Sequence, residues 1–303
     1  MKDLTLVVMA AGMGSRFGGL KQIQQIDDYG NFIIDYSVYD AIRAGFDKII
    51  FVIKEENYEI FKETIGSRIE SKIQVEYAFQ TLDLLPAGYS IPQDRVKPLG
   101  TAQALLACRD LVGDTFAIIN ADDFYGKESF VIAARYLKTV EGKKNKYANV
   151  GYYVANTMTE NGSVKRGVLG FDKNNFLCDI CESKVEYKDG KVYMEPLDER
   201  IQPKYIQKDT LVSMNLFCFT KDIMEYLEDR FPRFLDENKN NLEKCEYLLP
   251  TVVDELIKEQ RVTVEVLSTS SVWYGITYKA DQENVEKSIK ALVQKGDYKK
   301  GLW

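Results

Sequence analysis

An α/β fold is predicted, with a largely parallel sheet, helices on both faces and a smaller β-rich part. Three observations predict it. Short apolar runs alternate strictly with amphipathic segments through the first half of the chain. The first of these runs, from Leu4, ends in a cluster of glycines and basic residues. From Ala148 the helical spacing gives way to consecutive strand-like runs.

The elements follow in order. β-branched, apolar stretches predict buried strands over 4–10, 48–53, 73–79 and 115–120. Spacings of three and four residues between apolar positions predict helices over 35–44, 57–65, 102–111 and 128–139. Asp35 is the candidate N-cap of the first helix, and Gly45 its terminator. Strands are expected over 148–155, 167–171, 177–182, 185–187, 191–195 and 211–219, with Asp189-Gly190 as a hairpin turn. Helices return over 221–231, 244–259 and 281–294. Residues 1–147 and 148–303 are expected to form two halves packed as one unit. Between them in importance is the stretch 81–97, a long polar loop of a length that is often functional.

Composition excludes several classes. At 45% hydrophobic and 28% charged, the chain reads as an ordinary soluble globular protein. No apolar run approaches the ~18 residues of a membrane span, and Leu4 to Ala11 lacks the basic flank and cleavage site of a leader. A net charge of −6 argues against nucleic acid or an anionic membrane as partner. Five scattered cysteines suggest reduced thiols and a cytoplasmic setting, and Cys178-x-x-Cys181 has no second pair to complete a zinc site. The sequence contains no histidine. That removes Ser-His-Asp, Cys-His and phosphohistidine chemistry, and leaves reactions run by positioning, cations and carboxylates.

The glycine cluster is Ala11-Gly-Met-Gly-Ser-Arg-Phe-Gly-Gly-Leu-Lys21. Glycines let backbone N–H groups approach an anion, and Arg16 and Lys21 add charge at the same place. A Walker A loop is excluded because Leu20 separates Gly19 from Lys21 and Gln22 follows. A dinucleotide fingerprint is excluded because Gly12, Gly14 and Gly18 are spaced one residue too widely. The segment Gly12-Met-Gly-Ser-Arg16 with Lys21 resembles the signature loop of the sugar-phosphate nucleotidyltransferases, which join a nucleoside triphosphate to a sugar phosphate on a Rossmann-like fold. The resemblance extends in order through later segments to Asp281. It implies that residues 1–147 bind the nucleotide, with Ala11, Gly12, Gly14 and Ser15 among the contacts, and that residues 148–303 bind the sugar phosphate. Arg16 would hold the leaving phosphates, and Lys21 would stabilise charge at the α-phosphoryl group.

A buried run ends in Asn120-Ala-Asp-Asp123, at the strand edge where open α/β sheets place ligands. Two adjacent carboxylates there call for a cation, and Mg²⁺ on a triphosphate suits them. By the resemblance Asp122 binds the metal. Asp123 is a second metal ligand, a supporting group or a cap. Lys97-Pro-Leu-Gly-Thr-Ala-Gln103 opens a helix, with Gly100 and Thr101 expected to offer N–H groups. In the resembling family this segment lies beside the base with a Gln from the preceding strand end, the place of Gln80. In that family the arrangement most often accepts uracil or thymine, whose carbonyl and N3–H match an amide that donates and accepts, so UTP or dTTP is expected first, CTP second, since the amide could rotate to suit cytosine, and purines last.

The acceptor side resembles the family in Gly167, Glu182, Lys184 and Asn215. There the Glu would bind sugar hydroxyls and the Lys the sugar phosphate, although Ser183 is inserted between them. Asn215 stands in an apolar run, so it is either a buried network residue or a ligand contact. Trp273-Tyr-Gly-Ile-Thr-Tyr-Lys-Ala-Asp281 aligns with a family segment whose central Asp holds the metal, and Gly275 stands in that place. The implied reaction makes a nucleotide sugar and pyrophosphate from a triphosphate and a sugar 1-phosphate. Two alternatives stay open: CTP-dependent transfer to a phosphorylated alcohol or polyol, and a non-catalytic nucleotide-sugar sensor. The oligomeric state is open.

Overall fold

The computed structural model describes residues 4–12, 25–159, 162–275 and 281–303. Strands β1 (Thr5–Met9), β2 (Lys48–Ile53), β3 (Gln74–Phe79) and β4 (Thr115–Asn120) run parallel in the order β4-β1-β2-β3. β2 and β4 coincide with their expected spans. Their continuous apolar runs are explained by burial on both faces. Leu6, Val8, Ile49 and Phe51 pack toward helices α1 (Ile33–Ala44), α2 (Tyr58–Phe61) and α3 (Ser67–Glu70), and toward α5 (Lys127–Thr139). Val7, Ile50, Val52, Phe116 and Ile118 pack on the opposite face with α4 (Thr101–Leu106), α6 (Ile223–Glu237) and α7 (Leu249–Lys258). Helix α8 (Asp281–Lys295) closes a third cluster with Tyr36, Phe124 and Tyr298.

Several helix boundaries differ from expectation for local reasons. α1 is capped by Phe32, not Asp35; the Asp35 carboxylate reaches back three residues to accept the Phe32 N–H at 2.7 Å. Gly45, at φ 96°, ends the helix as expected. The segment expected as one helix over 57–65 is α2, a wider π turn at Lys62–Gly66, and α3. α4 stops at Leu106, where Cys108 and Arg109 switch to bonds three residues back. α7 begins at Leu249 because Pro250 fits only a first turn.

The second half extends the same sheet. β6 (Lys146–Tyr153), β7 (Val164–Phe171), β8 (Leu177–Lys188), β9 (Lys191–Pro196), β10 (Lys204–Ile206), β11 (Leu211–Thr220) and β12 (Thr263–Thr269) join it. β10 and β12 were not expected, and the two runs 177–182 and 185–187 form the single strand β8. A separate two-residue pair links β5 (Asp123–Phe124) to β13 (Tyr274–Gly275).

β11 is where the sheet divides. Phe217 to Thr220 pair with β4, whereas Val212 and Ser213 pair with β7. Between them the register with β6 slips from Ser213 to Phe217. The bulge lets one strand serve two neighbours, and the gap it leaves lies beyond the carboxyl end of β4.

Candidate active site

Two cavities meet at that gap. One of about 300 Å³ is lined by Asp123, Lys165, Arg166, Gly167, Glu182 and Asn215, among others. The other, of about 680 Å³, is lined by Ala11, Gly12, Gln80, Lys97, Gly100 and Thr101, among others. Asn120 and Asp122, at the end of β4, line both. Residues expected from the sequence to bind nucleotide therefore fall in the larger cavity, and most of those expected to bind the acceptor fall in the smaller. Gly14, Ser15, Arg16 and Lys21 lie outside the described residues.

In the larger cavity the turn before α4 is shaped by Gly100. Its φ of 108° is left-handed, and an added Cβ would lie 2.7 Å from the Tyr247 carbonyl oxygen, so only glycine suits it. The expected set of free N–H groups is reduced, because the Ala102 N–H donates to that carbonyl at 2.9 Å. The Thr101 hydroxyl accepts from the Leu249 N–H at 3.0 Å, which ties the turn to α7. Gln80 is buried at the end of β3. Its Nε2 donates to the Gly100 carbonyl at 2.9 Å and to Gln103 Oε1 at 2.7 Å. Both amide hydrogens are committed to these two acceptors.

The stretch 81–97 is packed. Leu85, Tyr89 and Ile91 rest on the core. The buried Arg95 guanidinium donates to four carbonyls, those of Lys97, Pro98, Leu242 and Cys245. Val96 and Lys97 form part of the cavity wall.

In the smaller cavity, Gly167 stands opposite Glu182 in register. A Cβ at position 167 would lie 3.2 Å from Glu182 Oε1, so the glycine leaves room for the carboxylate. Desolvation pushes the Glu182 carboxyl above its ordinary value, against the pull of Lys165. Asn215 is exposed and lines the cavity. The bulge of β11 holds it at φ 61°, a conformation asparagine tolerates. Lys184 is exposed on the same face of β8 as Glu182 but is not part of the cavity wall. Lys165, its register partner on β7, is.

The carboxylates differ from one another. Asp122 is exposed at the junction; Asp123 is buried. Asp123 Oδ2 accepts from Asn120 Nδ2 at 2.9 Å and from the Tyr125 hydroxyl at 3.3 Å. Burial, reinforced by Asp122, pushes the Asp123 carboxyl well above its usual range. Arg166, which the sequence reading did not single out, faces it as a buried cation. Its guanidinium stacks 4.6 Å from the Trp273 ring centroid and donates to Thr157 Oγ1 and the Lys165 and Thr157 carbonyls. Burial holds the Arg166 pKa down to about 10, against the pull of Asp123 and Asp281.

Trp273 also accounts for the glycine at 275. A Cβ there would overlap the indole and lie 3.0 Å from Asp123 Oδ1. The space that an aspartate would take is filled by the ring. Among the described residues no group of three or more acidic or cysteine side chains converges. The donor set is thus the hard oxygens of Asp122 and its neighbour. That fits Mg²⁺, which commonly takes one or two carboxylates and completes its shell with phosphates and water.

Fold and site together define an α/β protein with a strand-end carboxylate shared by two ligand cavities. The profile of the nucleotidyl transferase family matches residues 5–276, and the chain belongs to that family. This bears out the resemblance drawn from the sequence. A curated relative, the bifunctional protein GlmU of Acetivibrio thermocellus, is 23% identical over all of this chain; the chain spans about half of that relative's length, 55%. Among solved structures, the inositol-1-phosphate CTP transferase from T. maritima is 14% identical with a TM-score of 0.58, over 95% of this chain and 96% of its own. A UDP-glucose pyrophosphorylase complexed with UDP-glucose is 18% identical with a TM-score of 0.58, over 95% and 99%. Likeness at these identities establishes a shared fold. Among the described residues no helix is long and apolar enough to cross a membrane.

Proposed function

We propose that this nucleotidyltransferase joins a nucleoside triphosphate, UTP or dTTP by preference, to a sugar 1-phosphate. The observation that carries the reading is the position of Asp122, which borders both cavities. A nucleotide in the larger cavity and a phosphorylated acceptor in the smaller would bring their phosphates together there. The acceptor phosphate oxygen attacks the α-phosphorus in line, the bond to the β-phosphate oxygen breaks, and pyrophosphate leaves. No covalent enzyme intermediate is required, which suits a chain without histidine.

Asp122, with Asp123 behind it, would hold Mg²⁺, which when bound neutralises phosphate charge. Arg16 and Lys21 would meet the triphosphate, by the resemblance of their segment. Glu182 would accept from sugar hydroxyls, and Asn215 would offer an amide beside it. Lys165 replaces Lys184 as the cation for the acceptor phosphate. Gln80 would accept from the base.

The test is pyrophosphate release across a panel of five triphosphates and a set of sugar 1-phosphates, inositol phosphate and glycerol phosphate. Turnover with UTP or dTTP and a sugar 1-phosphate is expected. Turnover only with CTP and a polyol phosphate would replace the acceptor and base assignments. Tight binding without turnover would make the chain a sensor.

A further inference from the structure

We infer that Gln103 is a positioning residue that fixes which atom Gln80 shows to the base, and thereby sets the nucleotide preference. The inference rests on the reading of Gln80 as the base contact.

The orientation of an amide is normally ambiguous, because its oxygen and nitrogen are nearly the same size. Here the backbone settles it. Gln103, on α4, is fully buried. Its Nε2 lies 2.7 Å from the Thr81 carbonyl oxygen and 3.4 Å from that of Leu84. Carbonyl oxygens only accept, so Gln103 must turn its nitrogen to them. Its Oε1 is then directed at Gln80, 2.7 Å from Nε2. The Gly100 carbonyl, 2.9 Å from the same nitrogen, imposes the same choice. Turning either amide over would set oxygen against oxygen at hydrogen-bond distance in a buried place. The carbonyls that anchor this relay belong to residues 81–84, the start of the long segment after β3, which gives that segment a role in recognition.

The outcome is a Gln80 with no donor left. Its Oε1 has no hydrogen-bond partner among the described residues and is not a buried orphan, in a residue that lines the larger cavity. A base must therefore present an N–H to it. Uracil and thymine present that hydrogen on N3; cytosine has an acceptor at N3 and carries its N–H on the exocyclic N4, so a cytosine seated as uracil would be sets an acceptor against Oε1. Opposing two acceptors in a site built for one donor can cost large discrimination factors. Without Gln103, only the Gly100 carbonyl would oppose inversion of the Gln80 amide, so acceptance of cytosine would cost less.

The experiment is titration calorimetry of UTP and CTP with wild type, Gln103→Met and Gln103→Glu, alongside thermal melts. Wild type is expected to bind UTP at least about tenfold tighter than CTP. Gln103→Met should lower the ratio by about threefold, because one of the two acceptors that orient Gln80 is lost and the Gly100 carbonyl remains, while Gln103→Glu should keep it, because a buried neutral carboxyl still donates to Thr81 and accepts from Gln80. A purely structural role would weaken both nucleotides by one factor and leave the ratio intact. An unchanged ratio in a folded Gln103→Met overturns the inference and leaves Gln80 as the base contact. If Gln103→Met does not fold, Gln103→Glu decides, and loss of its preference overturns the inference. A wild type that does not distinguish UTP from CTP removes both readings.

Discussion

The larger cavity is walled by the ends of parallel strands and by the turns that follow them; the smaller is walled by the faces of antiparallel strands. In the first, side chains such as Gln80 are oriented by main-chain carbonyls, and Gly100 is required by backbone geometry. In the second, the lining groups are side chains on neighbouring strands, Lys165 on β7 and Glu182 on β8 among them. A wall of turns depends on a few local residues that cannot change. A wall of strand faces can exchange its side chains pair by pair.

The strongest test of the comparison is the residue the two cavities share. Asp122→Asn should lower kcat/KM by at least about a hundredfold for both substrates, and EDTA should abolish turnover until Mg²⁺ is restored. A variant that affected only one substrate would separate the cavities functionally. Next, Lys165→Met should raise the acceptor KM by about tenfold and leave the triphosphate KM nearly unchanged, as expected for a lost charge-assisted contact. Lys184→Met should change it by less than about threefold. Steady-state kinetics with each substrate varied would reverse the assignment if Lys184 proved the more costly.

Gly275→Asp probes the boundary between the two walls. The added side chain collides with Trp273, so the variant should lose about 1–3 kcal/mol of stability instead of gaining metal affinity. Chemical denaturation with and without Mg²⁺ reads both effects.

The smallest effect is expected at Asp40, remote from both cavities on α1. Its carboxyl is buried, accepts from the Tyr298 hydroxyl at 2.6 Å and is pushed up to about 7, chiefly by desolvation. Because the folded state keeps this proton where the unfolded chain has lost it, stability falls as pH rises from about 4 through 7. Asp40→Asn should flatten that slope in melts between pH 5 and pH 8. A slope unchanged from wild type would assign it to other groups.

Local pattern was enough for much of this molecule. β2 and β4 lie where their apolar runs end, because burial on both faces leaves no polar position inside either strand. Gly45 ends α1, and Asp122 stands at a strand end, for reasons carried by a few adjacent residues. Other features depend on partners distant in the chain. β12 carries only a short alternating run, with Val264 and Val266 turned inward, and its extent as a strand follows from its parallel pairing with β6. Asn215 reads as one polar residue in an apolar strand until β11 must pair with β4 at one end and β7 at the other, and the bulge turns it outward. Gln103 reads as an ordinary helix residue until the Thr81 carbonyl and Gln80 close around it. Periodicity and capping are free energies of neighbours in sequence, and these the sequence alone determined. Register, branching of a sheet and the orientation of a buried amide are decided by groups that meet only when the chain is folded.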